Sequence, residues 1–200
     1  MEEKNDNLGL ERLLFFSDAI FAIAVTLLVL EMRLPDTAQP LSNLQLSETL
    51  MGMWHEYLAY LISFLVIGTF WMAHHRKYRY IKKYDNTLLF LNLLFLMVVA
   101  FMPFSSSLII NYPDRSATIF YALTMAIAGL LLAINWWYAS SKKRLIDPDL
   151  DARTIKKQIV APLLTALIFF ISVGISFLDG NLSRLFWMLI LFATWYANLE

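Results

Sequence analysis

The chain has 200 residues, 59% of them hydrophobic and 16% charged, with a formal net charge of zero. Soluble domains run nearer 25% charged, so this composition excludes an ordinary soluble fold and points to a bilayer. The absence of cysteine removes disulfides, thiolate metal sites and cysteine nucleophiles, three histidines leave little for a metal centre, and balanced charge gives no sign of a nucleic-acid partner.

The first twelve residues carry Glu2, Glu3, Asp6 and Glu11 against Lys4 and Arg12, so they lack the basic start of a secretory leader. The first apolar stretch is therefore expected to stay in the mature protein. About 20 apolar residues in a helix cross the hydrocarbon core, and six stretches qualify: 13–32, 57–73, 88–109, 118–138, 159–178 and 182–198. None alternates like a barrel strand, and in lipid each segment must satisfy its own backbone groups. The expectation is one all-α membrane domain of six transmembrane helices over residues 1–200.

Basic residues set the orientation. Lys4 and Arg12 precede the first stretch. Arg76, Lys77, Arg79, Lys82 and Lys83 follow the second, and Lys142, Lys143, Arg144, Arg153, Lys156 and Lys157 follow the fourth. Only Arg33, Arg115 and Arg184 fall on the other side. The positive-inside rule then places both termini in the cytoplasm. In the longest outer connection Ser47 is expected to cap a short helix running into Leu50 and Trp54. Pro103 is expected to kink or end the third helix, leaving Phe104–Leu108 as a distorted turn. Asp147-Pro-Asp-Leu-Asp151 has the composition of a turn with helix-start chemistry.

The first stretch carries Ser17 and Asp18 at membrane depth, where a carboxylate costs about 2.5–3.5 kcal/mol and needs a partner or a purpose. On a helical wheel Phe16, Ile20, Ile23, Leu27 and Leu30 form one stripe, flanked by Ala19 and Thr26. Asp18 stands about 140° away from Ile23. No basic residue lies three or four positions from it, so its partner must come from another helix. Trp71 and His74 on the second helix and Asn92 on the third reach the same depth, which favours an interhelical clamp over a proton relay. By itself the apolar stripe fits ordinary helix packing.

Arg12-x-x-x-Phe16-Ser17-Asp18, continued by Ala-Ile-Phe-Ala-Ile-Ala-Val-Thr-Leu-Leu-Val-Leu-Glu31, resembles the opening of the transmembrane protein 175 family of potassium channels. Phe70-Trp71-x-x-His74, Leu91-Asn92-Leu-Leu-Phe-Leu and Pro103-Phe104 add to the resemblance, which covers about the first 110 residues. It implies a homotetramer of six-helix units whose first helices line the pore, in place of a carbonyl filter. It further implies Ile23 as the main hydrophobic constriction, Thr26 as a hydroxyl ring, and Leu27 and Leu30 as further narrow layers. Arg12, Phe16, Ser17 and Asp18 carry over as the motif, with Trp71, His74 and Asn92 as its supports and His75 as a less favoured substitute for His74. The expected function is a potassium-selective channel of the plasma membrane, with K+ as permeating ion, no cofactor and no partner beyond bilayer and sister chains. Glu31 and Asp36 would concentrate cations or merely end a solvated helix. The alternative is a proton-coupled secondary transporter using Asp18 and His74. An enzyme is disfavoured because His74-His75 and the scattered aspartates lack metal-ligand spacing and no nucleophile–base pair stands out.

Overall fold

A computed structural model describes residues 2–34, 42–112 and 114–190, with side chains from residue 8 onward and without that of residue 181. Among these residues the chain is all-helical: α1 (Glu2–Leu27), continued by a 3₁₀ turn (Leu28–Glu31), α2 (Asn43–Gly52), α3 (Trp54–Tyr78), α4 (Asn86–Asn111), α5 (Arg115–Ser140), α6 (Ala152–Ser176) and α7 (Gly180–Phe186). Five helices are long and apolar enough to cross a membrane: Leu8–Glu31, Trp54–Tyr78, Asn86–Asn111, Arg115–Lys143 and Ala152–Ser176. Of the sixth expected segment, 182–198, the part from 191 on lies outside the described residues, as do Asp36 and the two prolines before Leu41.

The helices outrun the apolar stretches at the basic end, because hydropathy marks only the part meant for lipid. α1 starts at Glu2 and α6 at Ala152. Lys77, grouped with the connection by its charge, instead sits in the last turn of α3. Its side chain is buried and its ammonium lies 3.5 Å from the Ala73 carbonyl.

Local chemistry explains most helix starts. Asp85, Asp114 and Asp151 each accept a hydrogen bond from a backbone N–H three residues on, at 2.7–2.8 Å, as N-caps of α4, α5 and α6. The Asp151 cap realises the helix-start chemistry expected of the Asp147–Asp151 turn. α2 corrects a detail: its cap is Ser42, reciprocated by Gln45 in a capping box, whereas Ser47 lies inside the helix and donates to the Leu44 carbonyl at 2.9 Å. The glutamine three residues after Ser42 was the better start signal.

Pro103 neither ends α4 nor leaves a distorted turn after it, since the helix runs on to Asn111. Proline removes a donor from the ladder, yet the next turn is reinforced. Ser105 and Ser106, both buried, donate to the same Met102 carbonyl at 2.9 and 3.0 Å. The two hydroxyls brace the turn that follows the proline, while the carbonyl freed by its missing N–H is that of Val99, four residues back.

Two apolar clusters hold the bundle. One joins Phe21, Ala24 and Leu28 of α1 to Ile67 and Phe70 of α3, Phe95 and Val99 of α4, Met125 of α5 and Phe169 of α6. The other, at the basic end, packs Leu10 and Leu13 of α1 with Tyr78, Ile81, Leu88, Trp136 and Ile146. α5 and α6 make the most extensive contact, tied by Trp136 Nε1 donating to the Ile155 carbonyl and Arg115 Nε to that of Ser176. Gly129 lets them approach: a Cβ there would stand 2.9 Å from the Pro162 carbonyl oxygen and 3.1 Å from the Ala166 Cβ. Gly129→Val should therefore force the pair apart, costing about 1–3 kcal/mol. The check is the thermal midpoint of the detergent-purified variant, which should fall well below that of the exposed-face control Ile127→Val.

The two basic connections pair with each other. Ile81 bridges Ile146, Lys82 and Lys83 N–H both donate to the Leu145 carbonyl, and Asp147 N–H donates to that of Tyr80. Asp85 clasps this platform, accepting from the Tyr138 hydroxyl at 2.7 Å and lying 3.6 Å from Arg144. Burial alone would raise the Asp85 carboxyl, but the Leu88 N–H, the Tyr138 hydroxyl and Arg144 together hold it below the ordinary aspartate value. A depressed folded pKa gives stability that is full above the unfolded value, about 3.9, and is lost as pH falls through the folded value. The stability gap between wild type and Asp85→Ala should thus be about 1 kcal/mol near neutrality and shrink below about pH 4. Denaturation midpoints across that range measure it.

Candidate functional site

α1 has two unlike faces. Phe21, Ala24 and Leu28 are 3%, 1% and 0% exposed, whereas Ile23 is 57% and Leu30 63% exposed. Phe16, Ala19, Ala22, Thr26 and Leu27 share the open side. Ile20, placed on the same stripe by the wheel, is half-buried and packs against the core cluster at its edge. The structure thus leaves Ile23, Thr26, Leu27 and Leu30 together on a side of α1 that its own bundle does not cover.

Two local features shape that side. The Thr26 hydroxyl lies 2.9 Å from the carbonyls of both Ala22 and Ile23, to which it donates. Its proton is directed back into the helix, so the oxygen offers lone pairs outward. After Leu27 the helix tightens to 3₁₀. At about 120° per residue, positions three apart eclipse, so Leu30 stands directly over Leu27 instead of drifting round the axis.

The opposite side of the motif is knitted to α3 and α4. His74 Nε2 and Asn92 Oδ1 are 2.9 Å apart, Asn92 Nδ2 donates to Ser17 Oγ at 3.0 Å, and Ser17 Oγ donates to the Leu13 carbonyl at 2.8 Å. With the Asn92 amide nitrogen committed to Ser17, its oxygen takes the His74 proton, which assigns the neutral Nε2–H tautomer. All three side chains are buried. Aromatic rings fix the imidazole: Tyr78 and Phe95 stack on it at centroid distances of 4.2 and 5.7 Å, and Phe21 lies at 5.9 Å. These three rings were not among the candidate residues; Tyr78 four positions after His74, and Phe95 three after Asn92, carry the spacing that could have pointed to them.

Asp18 is held separately. Trp71 Nε1 donates to its Oδ1 at 2.8 Å, so the partner does come from another helix. Trp71 is 40% exposed and His75, also exposed, lies with its ring 5.6 Å from the indole. His74, not His75, joins the buried chain. Among the described residues no hydrogen bond connects Asp18 to His74, and Arg12, exposed a turn before Phe16, joins neither group. The chain from His74 ends on a backbone carbonyl, and an indole N–H is a donor only. This arrangement fastens α1 to α3 and α4; it offers a proton no continuous path. Also among the described residues, no three His, Cys, Asp or Glu side chains are grouped to hold a metal ion.

The motif lies within a stretch that matches known proteins. The family model for the endosomal/lysosomal potassium channel TMEM175 matches residues 12–103, which span the open face, the Asp18–Trp71 pair and the His74–Asn92–Ser17 chain. A potassium channel of Streptomyces collinus is 36% identical over 173 residues, 84% of this chain and 82% of the relative. The human endosomal/lysosomal proton channel TMEM175 is 32% identical over 70% of this chain but only 28% of its own length. Among solved structures, the crystal structure of a lysosomal potassium-selective channel TMEM175 homologue from Chamaesiphon minutus superposes with a TM-score of 0.82. It covers 95% of this chain and 98% of that one at 27% identity. The chain belongs to the TMEM175 family.

Proposed function

We propose that the protein is a potassium channel in which four copies of α1 surround a central cation path. The carrying observation is the two-faced α1: one side is locked into its own bundle by the Ser17 and Asp18 contacts, while Ile23, Thr26, Leu27 and Leu30 are left open. An apolar side left open by the bundle must meet lipid or sister chains, and four-fold closure around Ile23 would make a narrow, dewetting neck. Potassium, larger and less tightly hydrated than sodium, loses less on entering such a neck. The outward lone pairs of Thr26, one turn on, replace part of the lost hydration shell. Leu27 and Leu30, eclipsed by the 3₁₀ turn, form further narrow layers. Modest rather than stringent preference for potassium follows, since no ring of backbone carbonyls is involved.

The two paired basic connections support a cytoplasmic placement of that end of the bundle, and with it both termini, in the plasma membrane. Membership of an ion-channel family sets the chain apart from enzymes. The proton-coupled transporter reading gains nothing from the geometry, because its two titrating groups sit in separate contacts.

Purified protein reconstituted into potassium-loaded liposomes should release potassium faster than sodium, without saturation and without needing a proton gradient. The particle should have the mass of four chains. Saturating flux that tracks an imposed pH gradient would replace the channel by the transporter.

A further inference from the structure

At the end of the bundle away from the basic connections lies a cavity of about 760 Å³ that the ion path does not use. The first turns of α3, the last turn of α4, the early part of α5 and the segment from Arg184 to Met188 enclose it. Its volume falls in the range of small-molecule sites, and its walls are mostly apolar. Two polar atoms in it are anomalous. Glu56 Oε2 and the Tyr121 hydroxyl are buried, and neither completes a well-formed hydrogen bond, although the Ser63 hydroxyl lies toward Tyr121. Tyr121 is 1% exposed. Buried polar groups are rarely left unpaired, because each such atom keeps its desolvation cost unless something fills it.

The order of the wall residues along the membrane normal says what would fill it. Trp54, exposed and with its ring tilted against that of His55, opens α3 at the depth where tryptophan marks the membrane–water boundary. Glu56 is in the same turn, and Arg184 brings a guanidinium to the wall, its Nε held by the Gly180 carbonyl. Ser63 lies seven residues deeper than Glu56, about 10 Å along the helix, where it shares the inner wall with Tyr121. A carboxylate and a guanidinium therefore stand near the surface, a phenolic donor lies deeper, and apolar side chains run between.

We infer that this cavity is a binding site for an aminophospholipid whose primary ammonium meets Glu56, whose phosphate meets Arg184, and whose acyl ester accepts from the Tyr121 hydroxyl. The ammonium supplies N–H donors to the carboxylate oxygen that lacks one, a charge-assisted bond. A quaternary choline head has no N–H to give, and a glycerol head has no cation. The site acts independently of ion permeation, so its test does not depend on the channel reading.

The test uses full-length protein reconstituted in nanodiscs of equal phosphatidylethanolamine, phosphatidylcholine and phosphatidylglycerol with matched chains. Lipid retained after extraction into detergent is counted by mass spectrometry of the intact protein. Wild type should retain phosphatidylethanolamine over the other two by about tenfold, the scale of one charge-assisted hydrogen bond. Glu56→Gln should abolish that preference, and Tyr121→Phe, which removes a single oxygen, should weaken retention several-fold. The thermal midpoint of each variant, taken without added lipid, should stay at or above the wild-type value, since an unpaired buried atom is being removed. Equal retention of the three lipids, or an unchanged preference in both variants, would overturn the site. Stabilisation by dodecylamine with no retained phosphatidylethanolamine would overturn the lipid and leave a site for free alkylamines.

Discussion

Ile23→Asn is expected to raise potassium conductance by about three- to tenfold, corresponding to about 0.7–1.4 kcal/mol off the barrier, and to bring the potassium-over-sodium preference down towards unity. Asparagine has as many side-chain heavy atoms as isoleucine but is smaller in volume, and it carries an amide that holds water. In the proposed pore, a neck that wets would no longer oblige the ion to shed its shell, which would remove both the main barrier and the step at which the two ions differ. The Ile23 side chain is exposed in the single chain, and the backbone carbonyl that accepts from Thr26 is kept, so the change should leave folding of each bundle intact. A control is available in Met97 of α4, equally exposed but remote from α1 in sequence and outside the motif. Met97→Asn should alter yield in membranes without changing the permeation ratio. Single-channel currents and reversal potentials under bi-ionic conditions give both quantities. Unaltered permeation in Ile23→Asn would take that side chain out of the narrowest layer, and a changed ratio in Met97→Asn would take α1 out of the pore wall.

The part of this arrangement that was legible in the sequence is the part fixed by periodicity and depth. A carboxylate inside an apolar stretch demands a partner, and counting residues from each end of α3 and α4 brought Trp71, His74 and Asn92 to its level. What periodicity could not show is which polar group takes which. Asn92 reaches Ser17, not Asp18, and among the described residues it is Trp71 that serves the carboxylate. That division depends on helix rotation, which is set by core packing around Phe21, Phe70 and Phe95. Wheel angles also assume one pitch throughout. The 3₁₀ turn after Leu27 moves Leu30 back over Leu27, and no residue type in Leu-Val-Leu-Glu announces it. Pro103 misled as well. The helix runs on past it to Asn111, with Ser105 and Ser106 bracing the following turn through the Met102 carbonyl. The platform of paired basic connections was out of reach, since Ile81 and Ile146 meet over a separation that no local pattern encodes.

Asn92→Leu should be the most damaging single change in the motif, lowering stability by about 2–4 kcal/mol. It removes two interhelical hydrogen bonds, each worth about 0.6–2 kcal/mol between membrane helices. It also strands the His74 Nε2–H among Phe21, Tyr78 and Phe95, where no water replaces the lost acceptor. Ser17 suffers less, because it keeps the Leu13 carbonyl. Removing the stranded donor as well, in His74→Phe combined with Asn92→Leu, should recover a large share of the loss, since a pair replaced by apolar groups of similar shape can be nearly neutral. Asp18→Ala should cost less than Asn92→Leu, because Trp71 is partly exposed and its indole N–H is not sealed in the core. Thermal midpoints and the fraction of intact oligomer in mild detergent would rank the three, and surviving channels of each should keep the wild-type permeation ratio. If the double variant were no better than Asn92→Leu alone, the polar chain would be needed for more than fastening. A selectivity change in Asp18→Ala would move the carboxylate from the helix seam to the ion path itself.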